Sequence, residues 1–116
     1  MKIHCEEHRS AIVIAIEGDF VFEEVDSFRR RCQEWLDRTG VAMIVDCSGM
    51  ERIDSAGLEA ILWLSENVRR CEGHLCLSGL QDLVGKALVV TRLDHRFDVH
   101  KSLEDAARTL ARMEAA

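Results

Sequence analysis

The sequence predicts a single α/β domain with a mixed, mostly parallel β-sheet and elements in the order ββαβαβαβα. Three observations predict it. Short runs rich in β-branched residues alternate with longer stretches whose apolar residues recur at helical spacing. The run Val41-Ala42-Met43-Ile44-Val45-Asp46 is almost wholly apolar, as a central strand buried on both faces must be. The chain, at 116 residues, has room for one such core and no second domain.

In chain order, Lys2 to Glu7 alternates weakly, and the polar His8-Arg9-Ser10 turns it back into Ala11-Ile12-Val13-Ile14-Ala15-Ile16. That is a hairpin with a well-buried second strand, ended by Gly18-Asp19. Phe20, Val21, Val25, Phe28, Cys32, Trp35 and Leu36 then mark an amphipathic helix from about Glu23 to Arg38, stopped by Gly40. After the central strand Val41 to Asp46, a loop from Cys47 to Arg52 leads into Ile53-Asp54-Ser55-Ala56-Gly57-Leu58. From Ser55, the positions Leu58, Ile61, Leu62, Ser65 and Val68 map one helix face, broadened by Trp63 and Leu64 and closed by Arg69-Arg70 and Gly73. His74 to Gly79 is a short strand, and Leu80 to Arg92 a helix with apolar Leu83, Val84, Ala87, Leu88 and Val90, weakened by Gly85. Phe97 to His100 is a last edge strand, and Ser102 caps a helix carrying Leu103, Ala106, Ala107, Leu110 and Met113. Such alternation implies parallel central strands joined by right-handed crossovers, with one antiparallel partner from the hairpin.

The formal charge of −6 comes from intermixed acids and bases, and Arg29-Arg30-Arg31 lies in a helix beside Glu34 and Asp37. Nucleic acid binding, which calls for a basic face, is not expected. No signal core and no apolar stretch of about 20 residues is present, so a cytoplasmic protein without membrane insertion is expected. Cys5, Cys32, Cys47, Cys71 and Cys76 are odd in number and irregularly spaced. They read as reduced thiols, several packed as small hydrophobes. His4 and His8 stand four apart in an extended segment, so no metal site is expected from them or from His74, His95, His100 and the cysteines.

Asp54 and Ser55 stand where a helix begins, and one of them reads as its N-cap, whose side-chain oxygen accepts a free backbone N–H. A modifiable serine suits the same place. Phosphate oxygens at a helix start meet free N–H groups and the positive end of the dipole, so about two added negative charges need not unfold the domain. Gly57, without a side chain, is expected to let another chain approach.

The segment Met43-Ile44-Val45-Asp46 followed by Ile53-Asp54-Ser55-Ala56-Gly57-Leu58 resembles the STAS domain, the family of anti-sigma factor antagonists and of the cytoplasmic domains of sulfate transporters. Val84, Leu88, Thr91, Leu93, Phe97, Val99, Ser102, Leu103 and Ala106 extend the resemblance to the last helix. It implies a regulatory binding protein and not an enzyme, with no cofactor, phosphorylated on Ser55 by a partner anti-sigma factor that is also a serine kinase, and restored by a phosphatase. Partner contacts are expected at Asp19, Asp54, Ser55, Gly57 and Leu58, with Asp54 shaping the serine's turn; a homodimer is left open. Two departures from the family pattern stand out. Gly18-Asp19-Phe20-Val21 replaces a Gly-x-Leu/Ile-Asp segment, and Ala56 replaces a second hydroxyl residue, leaving Ser55 the motif's one hydroxyl.

Other readings fit less well. Ser55 lacks a Gly-x-Ser-x-Gly setting, and nothing ties His74, His95 or His100 to it as a base. Asp46 as the phosphoacceptor of a response regulator would need an acidic pair and a lysine that Asp19 and Lys101 supply poorly. The stronger alternative keeps the fold: a non-switching STAS subunit of a lipid-transport ATP-binding cassette complex or of a stress-signalling scaffold.

Overall fold

The computed structural model describes residues 1–8 and 11–115. Its five-stranded sheet runs in the spatial order β1 (Lys2–Glu7), β2 (Ile12–Phe20), β3 (Ala42–Ile53), β4 (His74–Ser78), β5 (Asp98–His100). Strand β1 pairs antiparallel to β2, and every later pair is parallel. Between them lie α1 (Val25–Leu36), entered through a 3-10 turn at Phe22–Glu24, α2 (Ser55–Arg70) and α3 (Asp82–Val90); α4 (Leu103–Ala115) follows β5. The expected order of elements is the observed one. Arg9 and Ser10 of the expected hairpin turn lie outside the described residues.

The unbroken apolar runs are explained by two cores, one on each sheet face. Ile12, Ile14 and Ile16 of β2, Met43 and Val45 of β3 and Leu75 and Leu77 of β4 face α1, α2 and α3, where Phe28, Leu58, Ile61, Leu64, Val84 and Leu88 meet them. The alternate residues Val13, Ile44 and Cys76 face Ala106 and Leu110 of α4. Because successive strand side chains point to opposite faces, a strand between two helix layers must be apolar throughout.

One expectation is corrected. The loop expected over Cys47 to Arg52 is strand: β3 continues to Ile53, pairing Gly49 with Glu17, Met50 with Gly18, Arg52 with Asp19 and Ile53 with Phe20. Register shifts between Ala15 and Glu17 and between Gly18 and Asp19 break the two-residue alternation, so the polar Ser48, Glu51 and Arg52 hide the strand from pattern reading. Gly18, at φ +93°, takes the left-handed backbone that a bulge there needs. Asp46, consequently, sits within a strand and not at a strand end, where a phosphoacceptor would have to be.

In α3 the buried pair is Val84 and Leu88, one turn apart, whereas Leu83 and Val90 face solvent at 64% and 80% exposure. A nine-residue helix laid on a sheet covers one narrow face, so the remaining apolar residues of the segment lie outside it. Ser102 does cap α4, its Oγ accepting from the Asp105 amide at 3.1 Å.

Candidate functional site

The candidate site forms where β3 runs out and α2 begins, beside the turn that carries β2 into α1. Asp54 has extended backbone and is the N-cap of α2, with its Oδ1 accepting from the Gly57 amide at 2.9 Å. Its Oδ2 accepts from the Phe22 amide at 3.0 Å, and its own amide donates to the Phe20 carbonyl at 3.2 Å. One carboxylate thus fastens the start of α2 to a turn thirty-two residues earlier. Of the two N-cap candidates in the sequence, Asp54 is the cap.

Ser55 is the first residue of α2 and is exposed. The helical ladder opens with the Leu58 amide donating to the Asp54 carbonyl at 3.0 Å, and the Gly57 amide is taken by Asp54. The ladder leaves the Ser55 and Ala56 amides unused at the positive end of the dipole. Both carboxylate oxygens of Asp54 face backbone amides, so the carboxylate shapes the turn and does not lean on the Ser55 hydroxyl.

Asp19 lies across the β2–β3 register from Arg52, whose Nε donates to its Oδ2 at 3.2 Å while Nη2 closes the same pair. The hydrogen bond from Arg52 holds the Asp19 carboxyl below its usual range, against a small opposing effect of burial. Asp19, Asp54 and Ser55 are therefore gathered on one end of the molecule, at the carboxyl ends of parallel strands. In open α/β sheets that end is where loops build binding sites.

Gly57 and Leu58 do not share that surface. Both are buried, Leu58 at 6% exposure. A Cβ on Gly57 would strike the Phe20 carbonyl oxygen and come within 2.8 Å of the Ile53 Cγ1. The expectation that Gly57 opens the surface to a partner is thus corrected: it lets the chain's own β2–α1 turn pass against α2. Leu58 anchors α2 in the core and offers no contact face.

The structure adds residues that the sequence did not mark. Phe22, beside the Asp54 carboxylate, is 72% exposed, and Leu83, Val89 and Val90 make α3 apolar on its outer side. A hollow along α3 is lined by Leu80, Asp82, Gly85, Lys86 and Val89. A single exposed Phe beside buried apolar neighbours has no periodic signature, so only its position in the turn reveals it. Of the histidines once weighed as a base for Ser55, His74 and His100 turn to Asp98 and His95 is 90% exposed beside Asp94.

Three of the five cysteines, Cys32, Cys47 and Cys76, are buried, and all five are free thiols. Burial, with a smaller push from the Asp46 charge, raises the Cys47 thiol to about 12. No helix among the described residues is long and apolar enough to cross a membrane.

Residues 2–106 match the family model described as the STAS domain. Among solved structures, the chain is similar to an anti-sigma factor antagonist from Mycobacterium paratuberculosis, at TM-score 0.85 and 18% identity, covering 95% of this chain and 93% of that one. RsbS from Moorella thermoacetica gives TM-score 0.83 and 18% identity over the whole of both chains. A sulfate transporter family protein from Wolinella succinogenes gives TM-score 0.79 and 20% identity, covering 94% and 91%. At these identities the structural likenesses speak for the fold alone, while the family match spans nearly the whole sequence. On that match, this chain belongs to the STAS domain family.

Proposed function

We propose that this chain is an anti-sigma factor antagonist-like regulator, which binds a kinase-type anti-sigma factor in its unmodified form and is released when Ser55 is phosphorylated. The observation that carries this reading is an exposed serine at the first position of α2, on a turn that Asp54 locks from two sides. Phosphoryl transfer from ATP would form the bond from Ser55 Oγ to phosphorus, release ADP and lose the hydroxyl proton. The new dianion would face the unused Ser55 and Ala56 amides, so the fold tolerates it. On the outside it would place about two negative charges beside exposed Phe22, where an apolar partner contact would have to desolvate them.

Phe22 and the outer side of α3 supply the apolar part of the docking surface. Both lie at segments that leave the carboxyl ends of parallel strands, as Ser55 does. One other reading keeps the same geometry: Ser55 is only the first residue of a helix that Asp54 caps, and the same surface is a permanent interface.

The test is phosphorylation by the cognate anti-sigma kinase with ATP, read by intact mass and peptide mapping, together with partner affinity of Ser55→Ala and Ser55→Asp. A single phosphate on Ser55, unchanged affinity for Ser55→Ala and affinity at least about tenfold weaker for Ser55→Asp are expected. A kinase that leaves Ser55 unmodified, with Ser55→Asp bound as tightly as the parent chain, sinks the switch in favour of the permanent interface.

A further inference from the structure

On the α4 side of the sheet, away from Ser55, strands β4 and β5 bring together four side chains of three chemical kinds. The parallel register sets Cys76 opposite Asp98 and Ser78 opposite His100. With side chains alternating along each strand, His74 and Cys76 share a face with Asp98 and His100. The His74 Nε2 lies 2.8 Å from Asp98 Oδ2, and the Cys76 Sγ lies 3.5 Å from that same oxygen. One donor atom each from His74, Cys76 and Asp98 falls within 4.8 Å of the others. The second carboxylate oxygen, Oδ1, is 2.9 Å from the buried Nε2 of His100, close enough for charge attraction but without the alignment of a hydrogen bond.

We infer that His74, Cys76 and Asp98 form a binding site for a zinc-like divalent transition metal, with His100 as the residue that positions the Asp98 carboxylate. Tetrahedral zinc with bonds of about 2.0–2.1 Å to nitrogen and oxygen and about 2.3 Å to sulfur sets neighbouring ligand atoms about 3.4–3.6 Å apart. The thiol and carboxylate already stand at that spacing; to admit the ion the His74 ring needs to withdraw from Asp98 by about half an ångström and to close on the thiol, the donor atoms now spanning up to 4.8 Å. A His–Asp clamp beside a core-packed thiol would account for the burial of Cys76, but not for its Sγ lying 3.5 Å from the clamped carboxylate oxygen.

The donor set selects the class of metal. Thiolate with imidazole favours zinc, cobalt(II) or copper over magnesium or calcium, which take all-oxygen shells. Arg69 and Arg96 line a hollow that His74 and Asp98 border and Cys76 does not, and their positive charge nearby would repel an ion held by charge alone. His74 and Asp98 are each about a third exposed, at 37% and 36%, which leaves an entry path and a fourth position open to water or an added ligand. With Oδ1 lying against His100 Nε2, Oδ2 is left as the metal-facing atom, and a modest turn of the His100 ring would give the hydrogen bond by which outer residues orient a ligand. The Cys76 thiol must lose its proton to bind, so metal uptake releases about one proton and tightens as pH rises.

Cobalt(II), titrated into the reduced full chain and then displaced by zinc, tests this. One equivalent should give intense visible bands of a tetrahedral site and a near-ultraviolet thiolate-to-cobalt band. Cys76→Ser should lose that near-ultraviolet band, His74→Gln and Asp98→Asn should each weaken binding at least about tenfold, and His100→Gln should weaken it about tenfold while keeping the tetrahedral spectrum. Because Cys76 is buried and its variant could fail to fold, His74→Gln, at a partly exposed position, carries the test independently. Absence of binding, a weak octahedral spectrum, a thiolate band undiminished in folded Cys76→Ser, or parent-like affinity in His74→Gln each overturns the site.

Discussion

At the scale of single residues, Asp54 does more than the cap its position suggests. It answers the Gly57 amide and the Phe22 amide at once, so losing it frees two backbone donors on two segments. Asp54→Ala should cost about 1–2 kcal/mol of stability in urea denaturation, a cap loss with a second amide left open. Asp54→Asn keeps one carbonyl oxygen, and it should recover about half of that loss. If Asp54→Ala melts like the parent chain, the carboxylate does not hold the Ser55 turn. The cap itself was legible, because an acid before an apolar helix is a local signal. The bond to Phe22 was not, because no local pattern relates residues thirty-two apart. Gly57 teaches the same lesson from the other side: its lack of a side chain is visible in the sequence, but whether a partner or its own chain fills the space is decided by where Phe20 passes.

At the scale of elements, caps and periodicity mark α2 and α4 closely, whereas the full length of β3 and the buried face of α3 are not legible in the pattern, for identifiable reasons. Strand β3 crosses two register shifts that scramble its alternation, and α3 carries more apolar residues than its contact face can bury. Gly85 belongs to this level. It lies in mid-helix, and an added Cβ there would meet nothing within 4 Å. Gly85→Ala should therefore raise stability by about 0.5–1 kcal/mol in a denaturant titration, since alanine loses less backbone freedom on folding. A neutral or destabilising outcome would show that α3 is not a regular helix in solution. Should the substitution also weaken partner binding, the hollow beside Gly85 is part of the docking surface.

At the scale of the whole molecule, the two cores enclose thiols as though they were aliphatic groups, and alkali should expose the consequence. Burial pushes the folded Cys47 thiol up to about 12, against about 8.5 for an unfolded one. Between those values the folded state binds more protons than the unfolded state, so stability falls as pH rises, by up to about 1.4 kcal/mol per pH unit per thiol. Urea titrations from pH 8 to 11 should show this decline, and Cys47→Ala should start less stable but decline less steeply. An equal slope in both chains would remove Cys47 as a cause. The sequence by itself determined the class of fold, the succession of elements, the two-sided burial of the central strands and the position of Ser55 at a helix start. These follow from side-chain periodicity and caps, which act over a few residues. Only the tertiary structure decided that Gly57 faces inward, that Arg52 pairs with Asp19, and that His74 and Cys76 meet Asp98. No local spacing of those histidines and cysteines signals a metal, because it is the parallel pairing of β4 with β5, two elements separate in the chain, that brings such groups together.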